Sequence, residues 1–238
     1  MIETATLVTL DDLLAILFPE EPSRLLRLVA ESRRDFGDLS YFFAYRRGRW
    51  CWPPDASVNA DTPALCVARN RDTQVTWSPL LYLNSPMPSA PALLPLVWTC
   101  LPLRIEPSKF DPSMGAVDPE SERSALARIA AVSPEPTAVI HEGRRITCMW
   151  KLAQPLPAPI VPVDETRAGP SRDEPAARAQ RALWAMALKV GGDRNALDPR
   201  RESFSVPRMR MANVYPTRLV EVMLSSNVDR TFDVDELL

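Results

Sequence analysis

Residues 136–157 read PTAVIHEGRRITCMWKLAQPLP, and residues 176–213 read AARAQRALWAMALKVGGDRNALDPRRESFSVPRMRMAN. The first stretch holds two apolar runs rich in β-branched residues, AVIH and ITCMW, on either side of Glu142-Gly143-Arg144-Arg145. A short polar segment with glycine between two such runs predicts a β-hairpin over Ala138–Leu152. The second stretch places Ala and Leu at helical spacing and closes on Gly191, which predicts a helix over Ala176–Val190. Leu183, Met186 and Leu188 are expected to turn toward the sheet. A GGDRNALDP loop and a further strand, FSVPRMRM, follow. Strand–turn–strand, helix, loop and strand in that order predict an α+β fold, with the hairpin near the middle of a mixed or antiparallel sheet.

Working outward, Thr9 with Asp12 three residues on has the form of a capping box opening a helix through Leu17. Leu25, Leu26, Leu28 and Val29 suggest a second helix from Ser23 to Arg34, so residues 1–38 are expected to form a small helical element. From Leu39 the period changes. LSYFFAYR, PALCVARN, QVTWSPLLYL and VWTCLPLRIEP read as strands, and Ser121–Ala131 as a helix. The main domain is thus expected to span 39–224, with a proline-rich mobile linker at 153–173 and an acidic tail at 225–238.

The chain has 238 residues, 46% hydrophobic and 24% charged, enough for a well-buried core. Its 25 prolines against 7 glycines indicate stiff connectors rather than a flexible low-complexity chain. The net charge of −2 exerts no global pull on nucleic acid, so any such binding needs a local basic patch. Four scattered cysteines and one histidine, His141, offer no zinc-ligand spacing. No signal peptide or spanning apolar run is visible, and free thiols fit a cytoplasmic protein with no membrane partner. There is no GxSxG, P-loop, GxGxxG or HExxH motif, which argues against the common hydrolases and nucleotide enzymes.

The order of turn, helix and loop resembles archaeo-eukaryotic primase-polymerases, the type found in plasmids and phages. That family's turn reads roughly SGRGxHxYW and its later stretch GGDxxxxDxxRxxRxPGTxN. Gly143, Trp150, the Gly191-Gly192-Asp193 loop, Asp198, Pro207 and Asn213 keep the pattern. The resemblance implies an RNA-recognition-like sheet flanked by helices and a site with two divalent metals held by acids, since attacking and leaving oxygens both need charge neutralised. Here Arg104 and Glu106 stand where the family's DxD pair belongs, and a guanidinium cannot ligate a metal. Thr147 stands in place of the histidine that contacts the nucleotide phosphate, and Arg145 in place of a glycine.

Two readings of this pattern stand side by side. In one, the chain is a catalytically inactive primase-like protein of a plasmid, phage or other mobile element, with no metal cofactor. Its former cleft would bind nucleic acid, single strands included, or a partner in a replication or defence complex, through Arg104, Arg144, Arg145, Thr147, Lys151, Arg208, Arg210 and Asn213. The hairpin and the later strand would then be sheet neighbours. In the other, it is a divergent primase-polymerase using Mg or Mn on Glu106, Asp111 and Asp198. A protein–protein adaptor or inhibitor that merely keeps the sheet is a third possibility. Of the six tryptophans, Trp50 and Trp52 are the ones expected at the surface.

Overall fold

The computed structural model of the chain describes residues 3–5, 8–18, 24–32, 39–46, 49–51, 73–83, 95–107, 110–111, 116–143, 145–157, 175–192, 204–205, 207 and 219–238. Three helices are described: α1 (Leu10–Leu17), α2 (Pro119–Ala131) and α3 (Pro175–Val190). The strands are β1 (Glu3–Ala5), β2 (Arg24–Ser32), β3 (Leu39–Arg46), β4 (Arg49–Cys51), β5 (Thr73–Leu83), β6 (Pro95–Ile105), β7 (Phe110–Asp111), β8 (Ala116–Val117), β9 (Ala138–His141), β10 (Ile146–Pro157), β11 (Phe204–Ser205) and β12 (Glu221–Leu224). The main sheet runs β1-β12-β9-β10-β6-β5-β2-β3-β4, with β11 on β5, while β7 and β8 form a separate pair. Its named strand pairs are all antiparallel. The fold is α+β, and the hairpin β9–β10 sits near the middle of the sheet, as its sequence indicates.

Alternation along β10 decides what each face carries. Ile146, Cys148, Trp150 and Leu152 join Leu101, Leu103 and Ile105 of β6 and Val139 of β9 in one apolar cluster. Ala125 and Ile129 of α2 and Ala179, Ala182, Leu183, Met186, Ala187 and Val190 of α3 close over it. The α3 residues recur at three- and four-residue intervals, one stripe of a helix. Leu188, expected in that stripe, is 63% exposed instead, because Ala187 and Val190 fill the positions on either side. Trp150 donates its indole N–H to the Pro134 carbonyl at 3.0 Å, so the large ring is buried without an orphaned donor.

The helix ends follow from their sequences. Thr9 and Asp12 form the expected reciprocal capping box on α1. Asp118 caps α2 by accepting the Ser121 amide at 3.1 Å, with Pro119 at the first helical position. At the far end of α3, Gly191 takes φ 77°, and the amides of Gly191 and Gly192 both reach the Ala187 carbonyl, at 2.8 and 2.9 Å. Arg128 of α2 donates to the Val190 carbonyl at 3.0 Å, placing a cation at the negative end of α3 and locking the two helices together.

Four expectations need correction. Residues Arg24–Ser32 form β2, hydrogen-bonded to β3 and β5, so the second helix of the N-terminal element is a strand of the main sheet. Two ladders override the helical look of RLLRLVA, and a short apolar run cannot by itself separate strand from helix. Residues 153–157, placed in the linker, extend β10: after a register shift Leu156 pairs with Trp98 and Pro157 with Val97. The C-terminal segment is no free acidic tail either. Phe232, Val234 and Leu237 are buried in the main cluster, the last two in a 3-10 turn over Val234–Leu237. Phe232 accepts the Ala153 amide and donates to the Lys151 carbonyl, at 2.8 and 2.9 Å, taking over the edge of β10 where β9 has ended. Finally, the described part of the later strand, Phe204–Ser205, pairs with Trp77 and Thr76 of β5 rather than with the hairpin, and, Pro207 apart, the rest of that strand lies outside the described residues. The strand expected at 63–70 and the remainder of the linker lie outside the described residues.

Two outcomes are expected. Gly191→Ala should cost about 1–2 kcal/mol in denaturant unfolding, since a Cβ is strained at this φ and would sit 3.3 Å from the Arg128 Nε. The Arg178 guanidinium, hydrogen-bonded to Asp235, holds that carboxyl below the usual Asp range. A lowered folded-state pKa adds stability that is present above the unfolded Asp value, about 3.9, and is lost as pH falls through the folded value. Amide exchange at Ala153 and Phe232 should therefore accelerate on acidification below pH 4 or so, and Asp235→Asn should remove much of that pH dependence.

Candidate nucleic-acid interface

The register of β6 and β10 brings the sequence-selected polar residues together. Ile146 pairs with Ile105 and Thr147 with Arg104. One step further, Arg145 reaches Glu106, Nε to Oε1 at 3.2 Å, with both side chains about half exposed. Thr147, Arg104, Arg145 and Glu106 alternate away from the helix-side cluster, so they share the opposite face of the sheet. Lys151, partly exposed, lies on that face further along, opposite Cys100.

The turn that presents this group is tight. Glu142 donates its amide to the Arg145 carbonyl at 2.8 Å, and Gly143 takes φ 78°, the left-handed conformation that glycine reaches without a Cβ penalty. Thr147 donates its hydroxyl to Glu142 Oε2 at 3.1 Å. With Thr147 fully buried, its hydroxyl is committed to positioning Glu142.

His141 lies on the other side of the sheet. It is 4% exposed and sits 3.2 Å from Glu122 of α2, Nε2 to Oε1. The intervening sheet separates it from Thr147, so the two side chains do not share a site. Its role is to tie the end of β9 to the first turns of α2.

A second segment of the resemblance also converges here. At Gly192 an added Cβ would sit 3.2 Å from Leu103 Cδ1 and 3.3 Å from the Arg104 carbonyl. The glycine doublet therefore brings the end of α3 close against the end of β6. The sequence signalled the doublet as a helix stop, whereas the close approach to Arg104 follows only from the packing. The sheet also divides at this end. β6 pairs with β5 as far as Trp98, while Trp77 of β5 takes Phe204 of β11 as its partner on that edge.

Among the described residues, no group of three or more His, Cys, Asp or Glu side chains could hold a metal ion. Asp111 lies in β7, paired with Ala116. Arg144, Arg208, Arg210, Asn213 and Asp198 lie outside the described residues, as does Trp52, and of Trp50 only the strand position is described. Trp77, Trp98 and Trp150 are buried, whereas Trp184 on α3 is 45% exposed. No described helix is long and apolar enough to cross a membrane.

No protein-family model matches the sequence, and no curated protein matches it. Among solved structures the chain is similar to the AEP domain of the cyanophage S-2L primase-polymerase, at 12% identity and a TM-score of 0.49, over 94% of this chain and 91% of that one. It is similar to the primase RepB′ at 11% identity and a TM-score of 0.48, over 94% of this chain but 59% of that one. It is similar also to the catalytic domain of primase RepB′ in complex with initiator DNA, at 12% identity and a TM-score of 0.48, over 94% of this chain and 88% of that one. All three are primases.

Cys100 and Cys148 are structural. Both are fully buried, and burial pushes the Cys100 thiol up to about 12 and raises that of Cys148 as well. Peptide mapping after brief alkylation of the native protein near pH 8 should find both unlabelled, and both labelled after unfolding.

Proposed function

We propose that this chain is a catalytically inactive primase-like protein of a plasmid, phage or other mobile element, and that it binds single-stranded nucleic acid through the polar face at the β6–β10 end. The carrying observation is the Arg145–Glu106 pair at 3.2 Å, next to Arg104. Where two-metal chemistry requires clustered carboxylates, the described residues here offer Glu106 held by Arg145 and Glu142 held by the Thr147 hydroxyl, with Arg104 in place of a second strand acid. Phosphoryl transfer depends almost entirely on charge neutralisation and positioning, so the loss of a ligand removes most of the rate. Cations on one face favour phosphates regardless of sequence. Arg104, Arg145 and Lys151 supply that charge in this reading, joined by Arg144, Arg208, Arg210 and Asn213 from outside the described residues. A replication or defence complex is the setting in which such a protein would meet its nucleic acid and any protein partner.

Glu106→Gln separates the readings. If the face binds phosphates, removing the carboxylate frees Arg145, and the affinity for a labelled dT oligonucleotide should rise a few-fold at low salt. Joint replacement of Arg104, Arg145 and Lys151 by Gln should weaken binding and reduce the slope of log K against log salt by about one unit for each phosphate no longer neutralised. The unmodified protein should incorporate no nucleotide on a single-stranded template with Mg or Mn. Incorporation that Glu106→Gln abolishes would make the chain an active, divergent primase-polymerase. An absence of oligonucleotide binding at low salt would leave the adaptor role.

A further inference from the structure

We propose that His141 is a positioning residue for the β6–β10 face, and that protonation of its imidazole strengthens nucleic-acid binding by fixing the turn that carries Arg145. This rests on the nucleic-acid reading above and adds a control on it from the opposite side of the sheet.

The place of His141 in the ladder links it to the site. It pairs with Ile146 of β10 and with Glu221 of β12, and Ile146 in turn pairs with Ile105 of β6. A single rung therefore runs from Glu221 through His141 and Ile146 to Ile105, at the foot of the turn. The next residues outward on β10 and β6 are Arg145 and Glu106, the ion pair at 3.2 Å. Glu142, which follows His141, donates its amide to the Arg145 carbonyl at 2.8 Å and accepts the Thr147 hydroxyl at 3.1 Å. Whatever holds this rung also holds the backbone from which Arg145 extends.

The surroundings make the rung sensitive to charge. His141 is the single histidine of the chain, and both of its ring nitrogens are buried. From α2, Glu122 brings Oε1 to 3.2 Å from Nε2. From β12, Glu221 stands directly opposite on the same face, a placement that sets Cβ atoms about 5 Å apart. From β10 the opposing residue is Ile146, which does not titrate. The Glu142 carboxylate is turned to the other face, on Thr147. At the start of α2, Asp118 holds the Ser121 amide, Arg123 donates to the Pro119 carbonyl and Glu120 is exposed. A buried charge is costly unless it is paired, and here two carboxylates are in place to pair it. A proton on the ring sets a cation beside both, drawing the first turn of α2 and the end of β12 onto the end of β9. That attraction is present while the imidazole is charged and is lost as pH rises through its titration.

The test measures binding of labelled dT20 at low salt between about pH 5.5 and 8, the range in which an ordinary imidazole changes charge. The unmodified protein should bind about fivefold more weakly at the upper end, a modest coupling between two sites. His141→Gln should flatten the profile at the weaker value. Arg145→Gln should flatten it too, at lower affinity, because the charge acts through the turn. Coupling is reciprocal, so saturating dT20 should move the titration midpoint of the His141 Cε1–H resonance to higher pH. That reading needs no variant and is unambiguous in a chain with one histidine. Equal binding across the range, or a midpoint that dT20 leaves in place, overturns the inference while the β6–β10 reading stands. A profile that survives Arg145→Gln also overturns it, since the imidazolium would then act as diffuse charge. If dT20 fails to bind the unmodified chain at any pH, the underlying reading fails and the coupling with it.

Discussion

The β6–β10 ladder is the constraint on which the rest of the molecule depends. Ile146 opposite Ile105 sets a register in which every even-numbered residue of β10 from 146 to 152 enters the helix-side core. A slip of one residue would exchange the faces, turning Trp150 out of the core and Lys151 into it. The same register puts Arg145 against Glu106 and Thr147 against Arg104. Core and polar site are thus two readings of one alignment, and the apolar side enforces it because burying several large side chains outweighs anything the exposed ion pair contributes.

Around that ladder, polar groups in awkward places are satisfied by residues distant in sequence. Where β9 stops, Thr137 accepts the Lys151 amide through its hydroxyl, and Phe232 completes the row. Where α3 stops, Arg128 from another helix supplies the cap. Where β9 meets α2, His141 and Glu122 face each other. Each is a local solution to the cost of an unpaired buried group, and each joins two elements that the apolar core already brings together.

Legibility followed the physics. The hairpin and α3 were readable because glycine at the turn and Gly191 at a helix stop act within a few residues, whereas α2, expected from Ser121, starts two residues earlier at Pro119 behind its Asp118 cap. Strand β2 was misread because Leu25, Leu26, Leu28 and Val29 satisfy a helical spacing as well as a strand one, and only pairing with β3 and β5 decides between them. Asp233, Asp235 and Glu236 gave the C-terminal segment the look of a solvated tail, although Phe232, Val234 and Leu237 carry its position. At the candidate site, Arg104 and Glu106 were singled out by their place in a pattern, and the Arg145 partner followed from register. That Trp184 rather than a neighbouring residue faces outward depends on how α3 is rotated on the sheet, which no short window of sequence records.

The pairing of β1 with β12 has a consequence for how the chain reaches this structure. Thr4 lies opposite Met223, so one rim of the sheet joins residues far apart in the sequence. The hairpin can form as soon as it leaves the ribosome, because its contacts are local. The outer edge of β9 has no such early partner and must wait for β12. During synthesis that edge is an unpaired template, and closing so long a loop is slow in proportion to its entropy. The nascent chain thus passes through an interval in which a nearly complete core carries an adhesive rim, the stage at which a chaperone would have most to do.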